Sequence, residues 1–461
     1  MVISLSSQVV SLSEQVTALT ASVSALTEEN ALLKQENALL KQENALLKLE
    51  NAELRSRLGS NSKNSHQPPS KDLFKSKPAF PKSSTGKVGG QKGHKGNTLS
   101  QSLSPDEVIH LGLPSTCSCG CTLSGVPVVK EVKRQVFGLP EPKLQVKEYV
   151  QSEAKCPNCG KGVKVEFPKG VNNHVQYDNS VLAFCSLLSN GCHLSCAQIS
   201  QLFFDLFGQP LNPATVVAAN ERCYEALAPS EAAIKAELLR SEVVHFDESG
   251  LAVGGKTHWL HVSSTDRFTY LFAHEKRGRE AIQSEQSLLP EFHHFAVHDC
   301  WASYFQLEHI QHAVCNAHIL RELEALIEKE SKWAAKMKEL LLELYQLSPK
   351  GTAIAPNLAP YLVRYKQICQ DADKEEPPPI KAAKQGKPKS SKGRNLLNRL
   401  RQLQECVLAF AKYEQVPFTN NQAERDIRPA KSKIKIAGCF RKKEGADYFA
   451  RIQAFISTAR K

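Results

Sequence analysis

The chain has 461 residues and a formal net charge of +12, enough length for two or three domains and at least one sizeable core. No apolar run approaches the eighteen or so residues of a membrane span, and the N-terminus lacks a secretion pattern, so a cytoplasmic chain is expected. Its fourteen cysteines are then thiols, and close pairs favour metal over disulfide.

The charge is patchy. Residues 60–100 carry eight lysines against Asp72, 381–401 carry eight basic residues and no acid, and 425–461 carry eleven basic residues against three acids. Basic patches on an otherwise acidic chain suit a polyanion such as nucleic acid.

Residues 1–59 contain the heptad repeat ENALLKQ, beginning at Glu29. Leu33, Leu40, Leu47 and Leu54 take position d, and Asn30, Asn37, Asn44 and Asn51 take position a. Glutamates at g (29, 36, 43 and 50) face cations at e (34, 41, 48 and 55) of a parallel partner. Buried asparagines at a prefer to meet in register, so a leucine-zipper homodimer is expected, without excluding a higher oligomer on DNA. Residues 60–105, rich in Ser, Pro, Gly and Lys, read as a basic flexible linker.

Residues 106–170 read as a small zinc ribbon. Cys156 and Cys159 have the two-residue gap that lets two thiolates grip one Zn²⁺. The cluster CSCGC offers Cys117, Cys119 and Cys121 for two places, with Cys117 and Cys119 favoured. Between the pairs, VVKEVKRQVFGLPEPKLQVKEYVQ looks β-like. Residues 171–240 read as helical. The order helix, Gly, turn and a last helix begun by Asn212 and Pro213 suits a helix-turn-helix DNA reader. That last helix is poor in Arg and Lys, which equally suits a plain helical subdomain.

From Glu242 the period changes to that of strands. EVVHFDESGLAV, KTHWLHVSSTD and RFTYLFAHEK are three strands, GREAIQSEQSLLPEF a helical crossover, and HHFAVHDCWASY a fourth strand. Three antiparallel strands, a crossover and a fourth strand open a ribonuclease-H-like α/β fold, with the first and fourth strands side by side. Asp247 ends the first and Asp299 the fourth, so two residues 52 apart can face one cation. Burying either carboxylate alone costs several kcal/mol.

A third carboxylate is sought in TNNQAERDIRPAKSKIKI, where Thr419 or Asn420 caps a helix and Glu424, or equally Asp426, reaches across. Arg425, Arg428, Lys431, Lys433 and Lys435 are candidates for DNA phosphates, the three lysines sharing one face if the segment is extended. Glu248 reads as a supporting or exposed acid. Ten of the fifteen histidines lie between His245 and His318. They invite a zinc-hydrolase set of His298, Asp299, Cys315 and His318, but the spacing gives no compact cluster.

The order of zipper, NSKNSHQPPSKD, GGQKGHKG, cysteine knuckles, HFDESG, HDCWASYF, VCNAHILREL and TNNQAERDIRPAKS resembles the insertion sequence 66 family of bacterial transposases. The resemblance implies a DDE triad on Asp247, Asp299 and Glu424, holding Mg²⁺ or Mn²⁺. It also implies a ribonuclease-H-like catalytic core over 241–318 and 413–461, with a helical insertion over 319–412. Two ions about 3.5–4 Å apart would serve an in-line displacement at phosphorus, first at a transposon end and then on target DNA. Double-stranded DNA and small companion proteins of the same element are the implied partners, with nucleoid association when bound. Two departures stand out: the first knuckle is C-x-C-G rather than the usual C-x-x-C-G, and the chain stops at FISTARK where many relatives continue. A non-catalytic dimeric DNA-binding regulator derived from a transposase is the alternative reading. It has no reason to bring three carboxylates together.

Overall fold

The computed structural model describes residues 2–58, 99–348, 358–378 and 390–461, so most of the linker expected over 60–105 lies outside the described residues. About half of the chain is helical, beside a five-stranded mixed sheet. Helix α1 runs Val2–Leu58. Its seam residues Leu33, Leu40 and Leu47 stay about half exposed. The Asn37, Asn44 and Asn51 amides donate to the carbonyls of Leu33, Leu40 and Leu47 at 3.0, 3.0 and 3.1 Å. The Leu54 side chain is outside the described set. No described helix is long and apolar enough to cross a membrane.

The chain divides into two compact units, Met1–Phe80 with Cys315–Glu414, and Pro81–Val314 with Gln415–Lys461. The second opens with a hairpin of β1 (Glu153–Lys155) and β2 (Gly162–Lys164). The β-like stretch over 128–151 forms no strand. Its valines and leucines are almost all exposed, with no partner surface to make pleating worthwhile, and Pro140 and Pro142 interrupt it.

Helices α2 (Asn179–Ser186), α3 (Cys196–Phe207), α4 (Pro213–Ala226) and α5 (Ala228–Arg240) follow. Asp178 caps α2, Ser195 and Gln198 form a capping box on α3, and Gly208 ends α3 at a left-handed φ of 64°. Asn212 caps α4 with Pro213 in its first turn, as expected. The single basic residue of α4, Arg222, bonds Asn179.

The sheet contains β3 (Val243–Val253), β4 (Lys256–Ser264), β5 (Thr269–His274), β6 (Phe295–His298) and β7 (Gln311–Val314), in the order β5-β4-β3-β6-β7. β3 pairs antiparallel with β4 across a turn whose Gly254 and Gly255 both have positive φ, a conformation that glycine adopts without strain. β3 pairs parallel with β6, and β6 with β7. The first and fourth predicted strands therefore do lie side by side. The crossover is not a continuous helix: α6 covers only Arg279–Ile282, followed by a 3₁₀ turn at Leu289–Glu291. Ser284 and Ser287 hydroxyls bond nearby backbone there and compete with the helical ladder. The short strand β7 has no counterpart among the expected elements.

Side chains alternate across β3. Val244 and Phe246 enter a core with Ile234, Leu238, Phe292 and Tyr304. Leu251 and Val253 enter another with Ala423, Ile427, Ala430, Phe449 and Ala450. The latter residues come from helices α13 (Asn421–Ala437) and α14 (Lys443–Ala459). Helical segments thus cover both faces of the sheet, an α/β layering.

The other unit is helical over α7 (Asn316–Ile327), α8 (Lys332–Leu347), α9 (Ala359–Glu375), α10 (Lys392–Gln402), α11 (Gln404–Val407) and α12 (Ala409–Lys412). Trp333, Met337, Leu340, Leu341 and Leu344 line the buried stripe of α8. Arg394 and Arg401 bond Asp373, and Arg399 pairs with Glu322, so three cations of the 381–401 patch are held by acids of their own unit.

Candidate catalytic site

Asp247 stands where β3 runs past its partner. The parallel register sets Val243 against Phe295 and His245 against Val297. Carried two residues further, the same register brings Asp247 opposite Asp299, one residue beyond β6. Alternation puts His245 and Asp247 on the face that α13 covers, and Phe246 and Glu248 on the other.

Helix α13 is fastened to β3 at its start. The Asn420 amide donates to the Phe246 carbonyl at 2.7 Å, and its Oδ1 meets His245 Nδ1 at 2.9 Å. Of the two expected caps, Thr419 or Asn420, the N-cap position falls to Asn420, whose side chain makes no capping bond. It acts instead as a clamp between helix and strand, with Glu424 in the first turn beyond it. Asp426, the alternative third acid, is spent on structure. Lys461 pairs with it at 2.7 Å, Gln422 donates to it at 2.9 Å and Thr269 at 3.3 Å.

Burial raises the Asp247 carboxyl from its ordinary range to about 8, the charge of Glu248 adds to this, and Glu424 and Asp299 add further. A 2.9 Å bond from the Glu248 N–H to Oδ1 offsets part of the rise. Asp299 and Glu424 therefore each act electrostatically on Asp247. Among the described residues their oxygens do not all lie within 4.8 Å of one another. Ligands on opposite sides of two ions about 3.5–4 Å apart need not touch. Asp299 Oδ1 accepts from the Trp301 N–H at 2.9 Å.

Glu248, read as a supporting or exposed acid, is buried. Its Oε1 accepts from Arg277 at 2.8 and 2.7 Å, and its Oε2 accepts from the Tyr304 hydroxyl at 2.6 Å. Burial raises its pKa against those bonds. Neither Tyr304 nor Arg277 was singled out in the sequence. Both of the His298 ring nitrogens are engaged, by the Asp299 carbonyl at 2.5 Å and by His312 Nδ1 at 2.9 Å. That leaves it no place in a zinc set.

The five candidate DNA contacts sit on α13, which is helical through Ala437, so strand alternation does not apply to them. Arg425, Arg428, Lys431 and Lys435 are exposed, whereas Lys433 is buried. Counting from Glu424, Arg428, Lys431 and Lys435 fall at i+4, i+7 and i+11, one row along the helix. Lys433 points the other way. Its ammonium donates to the carbonyls of Ser189 at 2.7 Å and Leu194 at 3.0 Å, and burial lowers its pKa. It ties α13 to the helical region and is not available to phosphate.

Each cysteine knuckle forms its own turn. Gly120 N–H donates to the Cys117 carbonyl at 2.8 Å and Gly160 N–H to that of Cys156 at 2.9 Å, both glycines having positive φ. Hydrogen bonding from Cys119 lowers the Cys117 thiol, and from Cys159 and Asn158 the Cys156 thiol. One thiol of each pair, Cys117 and Cys156, is thus shifted toward thiolate. Among the described residues, no three of these sulfurs and that of Cys121 lie within 4.8 Å of one another.

Residues 174–448 match the family model described as Transposase IS66 family. Residues 18–100 match a family of unknown function. No curated protein matches the chain. The transposase match covers more than half of the chain and includes all three carboxylates, and it implies DNA binding and DNA cleavage with a divalent metal. The chain belongs to the IS66 family of transposases.

Proposed function

We propose that the chain cleaves DNA at the ends of an insertion sequence and joins the freed 3′-hydroxyl to target DNA. In this reading Asp247, Asp299 and Glu424 are its Mg²⁺- or Mn²⁺-holding catalytic carboxylates. One observation carries the reading: a half-buried Asp247 whose carboxyl is raised to about 8 by desolvation and by the charges of Glu248, Glu424 and Asp299. Such crowding is costly in a protein without chemistry to perform. Divalent cations relieve it, and an all-oxygen donor set suits a hard ion such as magnesium.

Bound there, the ions would lower the pKa of the attacking hydroxyl and neutralise charge developing at phosphorus. The chain's own groups set the geometry. The N–H groups of Glu248 and Trp301 orient Asp247 and Asp299, and the Asn420 clamp sets where Glu424 stands. The Arg428–Lys431–Lys435 row, flanked by Arg425, then guides a phosphate backbone away from the carboxylates. The strand order and the helices on both faces support a ribonuclease-H-like core over 241–318 and 413–461, interrupted by a helical insertion over 319–412. The half-exposed zipper seam supports a parallel homodimer.

The test is nicking of a transposon-end duplex in Mg²⁺ or Mn²⁺. Cleavage is expected from the wild type, and none after chelation or in Asp299→Ala. Equal nicking by both proteins would remove the reading.

Two further outcomes follow from α13 and the knuckles. Arg428→Ala is expected to weaken DNA binding across all sequences and to lower its salt slope by about 1, with stability kept within about 0.5 kcal/mol. Lys433→Ala strands a buried carbonyl at Ser189 and a half-buried one at Leu194, and is expected to destabilise the sheet unit by about 1–3 kcal/mol, leaving the salt slope unchanged. Urea unfolding and salt-dependent binding separate the two. For the knuckles, bound zinc measured by elemental analysis is expected in the wild type and absent from Cys156→Ser.

A further inference from the structure

Beside the carboxylates, on the other face of the sheet, lies a layer that the cleavage chemistry does not use. The Arg277 guanidinium sits over the Trp301 ring at 4.4 Å and over the Trp259 ring at 5.0 Å, between two half-buried indoles. Glu248 Oε1 fixes it there with two bonds, so its orientation is set before any ligand arrives. Its side chain remains 39 % exposed although Glu248 is only 2 % exposed. Trp301 is two residues from Asp299, and its N–H is bonded to that carboxylate. Across the strand pair, Trp259 faces Gly250, where an added Cβ would meet nothing within 4 Å. A glycine there leaves open space next to the indole's strand position.

A charged side chain held beside two half-buried indoles is an arrangement that bare packing does not require. Aromatic rings bind bases by stacking irrespective of sequence, and an adjacent guanidinium adds cation–π and phosphate contacts. We propose that Trp259, Arg277 and Trp301 form a subsite for an unpaired nucleotide of the DNA strand at the cleavage point. The base stacks on the indole layer and its phosphate meets the exposed edge of Arg277. The subsite rests on the transposase reading above for its substrate. It explains why Glu248, adjacent to Asp247 in sequence, faces away from the ions' side of the sheet: Glu248 holds Arg277. An opened strand end is thereby gripped beside Asp299, and intact duplex is not.

The test uses the full chain in chelator, where no cleavage occurs, and two probes: a blunt duplex and the same duplex with a short single-stranded 3′ overhang. Two of the three tryptophans lie at this site and the third, Trp333, is buried at 1 % exposure in the other unit. Overhang DNA is therefore expected to quench intrinsic fluorescence more than blunt DNA. Trp259→Leu and Arg277→Gln are each expected to weaken overhang binding by roughly tenfold and blunt-duplex binding by less than about twofold. Trp259→Phe, which keeps a ring, is expected to recover part of the loss. Trp259→Leu leaves the Glu248–Arg277 pair intact, so the result does not depend on Arg277→Gln folding. Overhang binding unchanged in Trp259→Leu, or an equal loss for both probes, would overturn the subsite. Cleavage assayed in parallel separates the two proposals. An inactive wild type with Trp259-dependent overhang binding removes the enzyme reading alone, and an active wild type whose Trp259→Leu variant binds the overhang normally removes the subsite alone.

Discussion

Asp299→Ala, Asp247→Asn and Glu424→Gln are each expected to lower strand cleavage by at least about a thousandfold while leaving DNA affinity within a few fold. The size of the loss follows from what each group does. A carboxylate that holds a divalent ion contributes charge at the developing transition state, and the acids Asp426 and Glu248 are already committed elsewhere. Asp426 is engaged by Lys461 and Glu248 by Arg277 and Tyr304. DNA affinity is kept because the exposed cations of α13 remain. Asp247→Asn and Glu424→Gln are nearly isosteric, so they separate lost chemistry from lost fold. A drop confined to DNA binding would instead point to a regulator.

The second large effect is on the metal-free protein and concerns its pH dependence. Asp247 titrates at about 8 in the folded chain and near the ordinary value of about 3.9 when unfolded. The folded state therefore binds the proton more tightly. The stabilisation is complete below about pH 4 and is lost as pH rises through about 8. Over that window the wild type is expected to lose on the order of a few kcal/mol of stability from this group. Asp247→Asn cannot ionise, so it is expected to flatten the slope and to melt several degrees higher than wild type above pH 8 without metal. Magnesium reverses the order by stabilising the wild type and leaving Asp247→Asn nearly unmoved. Calorimetry at pH 5 and pH 8.5, with and without metal, checks the sign. A wild type more stable at the higher pH in chelator contradicts it.

The pairing of Asp247 with Asp299 was legible in the sequence because apolar periodicity marks both strands and a crossover makes them parallel neighbours. The residues themselves left Glu424 and Asp426 equal, and the proposal of Glu424 came from the family resemblance. Both fall in the opening turns of one helix, and what separates them is distant: the Asn420 clamp on β3 and Lys461 on Asp426. The K-x-K-x-K pattern mimicked strand alternation. The stronger signal was Ala423, Ile427, Ala430 and Ile434, spaced as one helix face and packed in the same core. Arg277 had no local signal at all, since a loop arginine acquires meaning only when two tryptophans and a glutamate from other segments meet it. The long stretch over 128–151 carried β-forming residues but no surface to pack against, and propensity alone does not make a strand.

The most direct measurement is Mn²⁺ anomalous diffraction from crystals of the full chain. The account predicts anomalous density bounded by the carboxylates of Asp247, Asp299 and Glu424, and its loss in Asp247→Asn. Density elsewhere with none among these three side chains would contradict it.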